Sequence, residues 1–194
     1  MKRNVSAYGM GAGSDRLVLA RLGGSGDRLF GGLNLGYGGH GFDDRQNYAA
    51  GLDVGYAIPV GSGSTTFCPI AQSVLQLSER NFGTRQKLVT TSIGAAFGHT
   101  FKFSPSFSLV PFVQGGVLHR YGSYGAYTAF GTSYPGASGG LTGGQIGAGV
   151  GLRIANRLTL RPAVMVPLGF RGGSTGQSEP MYSLTASFAL GKKR

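Results

Sequence analysis

Apolar and polar residues alternate through most of this chain, most plainly over residues 139–171. Ile146, Ala148, Val150, Leu152 and Ile154 fall on one parity, and Gln145, Gly147, Gly149, Gly151 and Arg153 on the other. After a short polar break, Leu158, Leu160, Pro162, Val164, Val166, Leu168 and Phe170 alternate with Thr159, Arg161, Ala163 and Met165. Successive side chains of a strand point to opposite faces, so this stretch predicts a β-hairpin with one aliphatic face and one small or polar face.

The pattern recurs. Residues 28–38 set Leu29, Leu33, Leu35 and Tyr37 against Asn34 and Gly36. Residues 46–58 set Tyr48, Ala50, Leu52, Val54, Tyr56 and Ile58 against Asn47, Gly51, Asp53 and Gly55. Residues 85–103 set Val89, Ile93, Phe97, Phe101 and Phe103 against Thr90, Ser92, Gly94 and Lys102. Residues 106–121 set Phe107, Leu109, Val113, Val117 and Tyr121 against Ser108, Gln114, Gly116 and Arg120, and residues 180–191 set Tyr182, Leu184, Phe188 and Leu190 against Ser183, Thr185 and Ser187. Residues 64–77 alternate less cleanly, and Pro69 predicts a bulge there.

These segments give eight strands between residues 28 and 191. Residues 4–11 and 16–22 supply two more if they form a hairpin, making ten. The reading taken is eight, with residues 1–27 as an N-terminal extension or extra hairpin, 28–191 as a β-barrel and 192–194 as a basic tail. Connections are short near 59–63, 104–106 and 155–157, and longer at 39–45, 78–84, 122–138 and 172–179. Strands of about ten residues suit a tilted bilayer crossing, and loop lengths segregated to opposite ends are the rhythm of a transmembrane barrel. The fold class expected is therefore all-β: a closed antiparallel up-and-down transmembrane β-barrel with its apolar face outward.

Charge placement fits. The chain has seven acids. Asp15, Asp27, Asp43, Asp44, Glu79 and Glu179 fall in predicted loops or turns, and Asp53 falls on an inward face, so none is placed against lipid, where charge is costly. Lys87 and His99 have outward parity and are expected at headgroup level.

Composition narrows the alternatives. The chain has 194 residues, 37 of them Gly, and the glycines sit inside alternating apolar runs, which argues against a disordered low-complexity chain. No run approaches the roughly 18 apolar residues of a membrane helix. The net charge of +11 invites nucleic acid, but the basic residues are scattered, and their dense clusters are Lys2–Arg3 and residues 192–194 at the two ends. No nucleic-acid partner is expected. Cys68 is the one cysteine, which excludes an internal disulfide and a paired-cysteine metal site; it reads as a packing residue. No metal or cofactor is expected. Residues 1–13 lack the apolar core of a signal peptide, so export is expected to depend on a leader not contained in these residues.

Over its last ninety or so residues the chain resembles the opacity-protein-like small outer-membrane β-barrels, the family that includes the membrane domain of outer membrane protein A. The resemblance is carried by LVPFVQGG (109–116), GAGVGLRI (147–154), NRLTLRPAV (156–164) and YSLTASFAL (182–190), with a weaker match at LDVGYAIP (52–59). Two departures stand out. Ala163 follows the LRP triplet where the family often has an acid, and Phe188 is followed by ALGKKR where members usually end on an aromatic residue. The resemblance implies a bacterial outer-membrane location, assembly by the barrel-insertion machinery and an eight-stranded barrel. It implies no shared activity, because function follows the loops.

The candidate chemistry is sparse. Asp53 with Arg153, Arg161, Arg120 and Lys102 forms the expected lumen ion cluster, since charges in a narrow interior should pair. It would serve as a structural plug, or as a gate on a polar path. In the predicted external loops, Arg45, Arg80, Arg85 and Arg171 are candidate contacts for lipopolysaccharide phosphates, which suit bidentate guanidinium binding. Tyr124, Tyr127, Phe130 and Tyr134 in the longest loop suit a headgroup girdle. His119, Ser123 and Glu179 invite comparison with lipid-deacylating barrels, but His119 and Ser123 would lie roughly 13 Å apart in an extended strand, and His40 and His99 have no evident partner. No enzymatic activity and no catalytic residue are expected. The function expected is a monomeric structural or surface-interaction barrel with a side-chain-filled lumen and lipid and lipopolysaccharide as partners. The alternatives are a narrow channel for small solutes and a soluble calycin-like ligand carrier.

Overall fold

The computed structural model describes residues 2–12, 15–40, 43–61, 63–79, 84–155, 157–169 and 179–190. They form β1 (Lys2–Ala12), β2 (Asp15–Ser25), β3 (Leu29–His40), β4 (Asp43–Tyr56), β5 (Ile58–Val60), β6 (Thr65–Glu79), β7 (Arg85–His99), β8 (Phe101–Ser104), β9 (Phe107–Tyr124), β10 (Tyr127–Ala129), β11 (Thr132–Tyr134), β12 (Ala137–Ile154), β13 (Leu158–Leu168) and β14 (Met181–Leu190). Ten of them close a ring in chain order: β1, β2, β3, β4, β6, β7, β9, β12, β13 and β14. The ring shuts where β14 pairs antiparallel with β1, from Arg3↔Leu190 to Gly11↔Tyr182, and Ser6 Oγ donates to Ser187 Oγ at 2.8 Å across that seam. Closure leaves no unpaired edge, which a bilayer requires.

The count is therefore ten: the preferred count of eight is corrected, and residues 2–25 form the extra hairpin that the sequence allowed. β2 hid from the alternation test because both of its faces are apolar. Val18 and Leu22 are exposed on the outside, whereas Leu17 and Leu19 are buried inside, against Ala49, Tyr8, Met10 and Val74.

Pro69 makes no bulge. The β6–β7 register runs unbroken from Thr65↔His99 to Glu79↔Arg85. On the other side, β5 continues β4 in the same register, Gly55↔Ile70 and then Ile58↔Phe67. The ladder lapses only between those pairs, where Pro69 has no N–H to donate.

The faces follow the predicted parity. Leu33, Leu35, Leu52, Val54, Ile93, Phe97, Val113, Val117, Ile146, Val166 and Leu184 are exposed on the outer wall. Tyrosines mark its loop end, with Tyr37 and Tyr48 edge to face at 5.5 Å. Phenylalanines mark the end that carries both termini, with Phe103 and Phe107 5.8 Å apart. An apolar belt bounded by aromatic girdles is the exterior of a transmembrane barrel, and it inverts the arrangement of a soluble carrier. Lys87 and His99 lie at the strand ends, where His99 Nδ1 meets Thr65 Oγ1 at 2.7 Å and its ring lies 4.6 Å from Phe101.

At the terminal end the connections are short. At the loop end the strands run further than the sequence suggested: β3 reaches His40 and β4 begins at Asp43, so most of the predicted loop 39–45 is wall. The longest loop carries its own hairpin, β10 on β11. Its turn places Phe130 at φ 50° and Gly131 at φ 77°, the left-handed pair of a type I′ connection.

Candidate functional site: the barrel lumen

The ring encloses a cavity of about 1190 Å³. Its lining is built by parity. Inward positions of β1, β6, β7 and β9 are even, and those of β2, β4, β12, β13 and β14 are odd, so Asn4, Ser6, Gln72, Ser92, Gln114 and Thr185 face the lumen together. The expectation of a lumen filled by side chains is corrected. An eight-stranded interior is just wide enough for side chains, and the N-terminal hairpin widens this ring beyond that size.

One wall holds a packed polar network. Arg21 on β2 grips Asp53 on β4 with both arms of its guanidinium: Nε donates to Oδ1 at 2.9 Å and Nη2 to Oδ2 at 2.6 Å. Asn34, 2% exposed on the intervening β3, donates its Nδ2 to Asp53 Oδ1 at 3.0 Å, and Arg21 Nη1 donates to Asn4 Oδ1 at 3.3 Å. Gly32, the β3 partner of Asp53, makes this reach possible, because a Cβ there would sit 2.7 Å from Arg21 Cζ and Nε. The arginine lies across a bare backbone.

Asp53 thus pairs with an interior cation, Arg21, that is not among the cluster named from the sequence. β13 lies five strands from β4 in either direction around the ring, so Arg161 stands directly opposite Asp53. Arg21, two strands away, takes Asp53 instead. Arg161 lines the cavity and lies with Cζ 4.7 Å from the centre of the Phe112 ring. Arg120 also lines it, 9% exposed. Arg153 and Lys102 do not join them. Arg153 pairs with Thr159 and Ser108 near the terminal end, and Lys102 lies on β8; both are exposed. The glycine strip of β12 does not open space beside Arg153. Gly149 instead makes room for the Phe112 ring.

The sequence reading missed Arg21, Asn34, Tyr8 and Asn4. The available signal was the even-parity polar set Asn4, Ser6 and Tyr8, which alternates with Val5 and Ala7.

Of the loop arginines, Arg85 is exposed at the start of β7. The side chain of Arg45 and all of Arg80 and Arg171 lie outside the described residues. Tyr127 and Tyr134 stack across the loop hairpin at 4.9 Å, and Phe130 at its tip is 93% exposed. These aromatics decorate a hairpin beyond the belt instead of forming a girdle. His119 points outward and meets Thr142 Oγ1 through Nδ1 at 2.8 Å.

No protein-family model matches the chain, and no curated protein sequence matches it. Among solved structures, the translocator domain of the autotransporter NalP from Neisseria meningitidis is similar at 12% identity, over 97% of this chain and 86% of that one, with a TM-score of 0.53. The N-terminal β-barrel domain of Pseudomonas aeruginosa OprF matches at 16% identity over 97% of each chain, with a TM-score of 0.42. Ail of Yersinia pestis matches at 11% identity over 97% of this chain and 99% of its own, with a TM-score of 0.43. The likeness to the NalP domain is one of fold. With the closed ten-strand ring and the apolar belt, it makes this chain a transmembrane β-barrel of outer-membrane type.

Proposed function

We propose that the protein sits in a bacterial outer membrane as a non-enzymatic, monomeric barrel whose lumen is a narrow aqueous path for small polar solutes. The observation that supports this is the cavity of about 1190 Å³, with Arg16, Arg21, Arg120, Arg161, Asp53 and Glu179 on its wall. A lumen with ionic side chains and room for water is suited to hydrated solutes. Of the two transmembrane readings of the sequence, the channel is the one this geometry favours. The even strand number puts both termini at one end, taken here as the periplasmic end, with assembly left to the insertion machinery.

A surface role accompanies the conduit. Phe130, held exposed at the tip of the external hairpin, and Arg85 at the rim are placed to meet another surface, and the rim cations suit lipopolysaccharide phosphates.

The test is conductance. Protein that shifts on unheated gels, and so is folded, should give small discrete steps in planar bilayers. Folded protein that gives none would defeat the conduit and leave a structural or surface role.

A further inference from the structure

We propose that Arg161 is a binding site for small oxyanions in the lumen and makes the conduit anion-selective; this rests on the conduit reading above.

The lumen charges are not equally available to a solute. Arg21 is held in both arms of Asp53 and contributes little net field. Arg120 is buried. Arg16 and Glu179 sit at the loop end of their strands, beside β2 residue 15 and ahead of β14. Arg161 differs from all of these. It lies within β13, between the outward-turned Leu160 and Pro162, and is exposed to the lumen. Among the described residues no carboxylate lies in salt-bridge range of it.

Its position is built. The Phe112 ring backs the guanidinium at 4.7 Å. The ring in turn occupies the space left by Gly149, where a Cβ would come within 2.6 Å of its Cζ. Gly151 leaves the Arg161 stem 3.7 Å of clearance from such a Cβ. An aromatic ring seated over a glycine therefore backs a guanidinium that lines the cavity. A planar fork of donors matches carboxylate and phosphate oxygens two at a time. The apolar belt outside this wall keeps the dielectric low and focuses the field into the lumen. The expected substrate class is small carboxylate- or phosphate-bearing solutes.

The experiment is reversal potential in planar bilayers under a potassium chloride gradient, on wild type, Arg161→Gln and Arg161→Lys. Wild type should prefer chloride several-fold over potassium. Arg161→Gln should bring the ratio close to unity, and Arg161→Lys should keep the preference. Inorganic phosphate should reduce the chloride current of wild type and of Arg161→Lys, but not that of Arg161→Gln. Folded wild type without conductance would defeat the conduit itself. A conducting wild type with no anion preference, or an Arg161→Gln variant with wild-type selectivity and phosphate block, would overturn the assignment to Arg161 and leave the conduit standing. A wild type without anion preference or phosphate block overturns the proposal even where a variant does not fold.

Discussion

Replacing Gly116 with valine should prevent the barrel from assembling. Gly116 on β9 pairs with Gly94 on β7, and both lie on inward parity. A Cβ at Gly116 would run into the carbonyl oxygen of Ile93 and stand 2.7 Å from Gly94 Cα and 3.1 Å from Ile93 C. A Cβ at Gly94 would likewise meet the carbonyl oxygen of Gly115. These obstacles are backbone atoms held by a continuous ladder, so no rotamer change relieves them. Overpacking a core costs about 1–3 kcal/mol when side chains can yield; here the cost belongs at or above that upper end, a large share of the roughly 5–15 kcal/mol that holds a typical domain together. Gly9 is the control. Nothing lies within 4 Å of its Cβ position, and valine suits an extended strand. Gly9→Val should refold into detergent and migrate like the parent on unheated gels, whereas Gly116→Val should give only the unfolded band. Equal refolding of both would mean that β7 and β9 do not approach this closely.

What the sequence shows and what it hides follow from the physics of a barrel wall. Parity was legible because lipid demands it: Leu33, Leu52, Ile93, Val113, Ile146 and Leu184 each landed outside as the alternation required. Strand number was less legible. The wall residues of β2 face lipid on one side and a small apolar core of Leu17, Leu19 and Ala49 on the other, so the segment reads as a continuous apolar run. That one omission propagated. Without β1 and β2 the ring is two strands smaller, its lumen is full, and Asp53 must look across the barrel for a cation. With them the lumen is open, and Arg21 reaches Asp53 over Gly32 from two strands away. Alternation says which way a side chain points. It does not say which strand will stand beside it, and for the charged residues of the lumen that adjacency decides which of them pair.

The second large effect expected is loss of stability when the Arg21–Asp53 pair is broken. Both side chains are mostly withdrawn from water, at 17% and 14% exposure, and the pair is bidentate. Asp53→Asn removes the charge and keeps the shape, leaving Arg21 with Asn4 and the cavity. Arg21→Gln leaves a carboxylate held by Asn34 alone. Removing one partner of a dry buried pair costs about 3–5 kcal/mol; this pair lines an open cavity and is partly exposed, so each single substitution should cost roughly 2–3 kcal/mol. The double variant Arg21→Gln/Asp53→Asn leaves no unpaired charge. It should be more stable than the sum of the singles predicts, by a coupling within the range of about 0.5–3 kcal/mol found for residues in one network. Urea unfolding in detergent micelles, followed by tyrosine fluorescence or the gel shift, measures all four proteins. The sign of the coupling is the decisive reading. Additive losses would mean that Arg21 and Asp53 act separately and that the polar network does not tie β2 to β4. A recovered double variant would show that the N-terminal hairpin is held in the ring partly by the charge it brings to Asp53, the same charge that leaves Arg161 alone on the opposite wall.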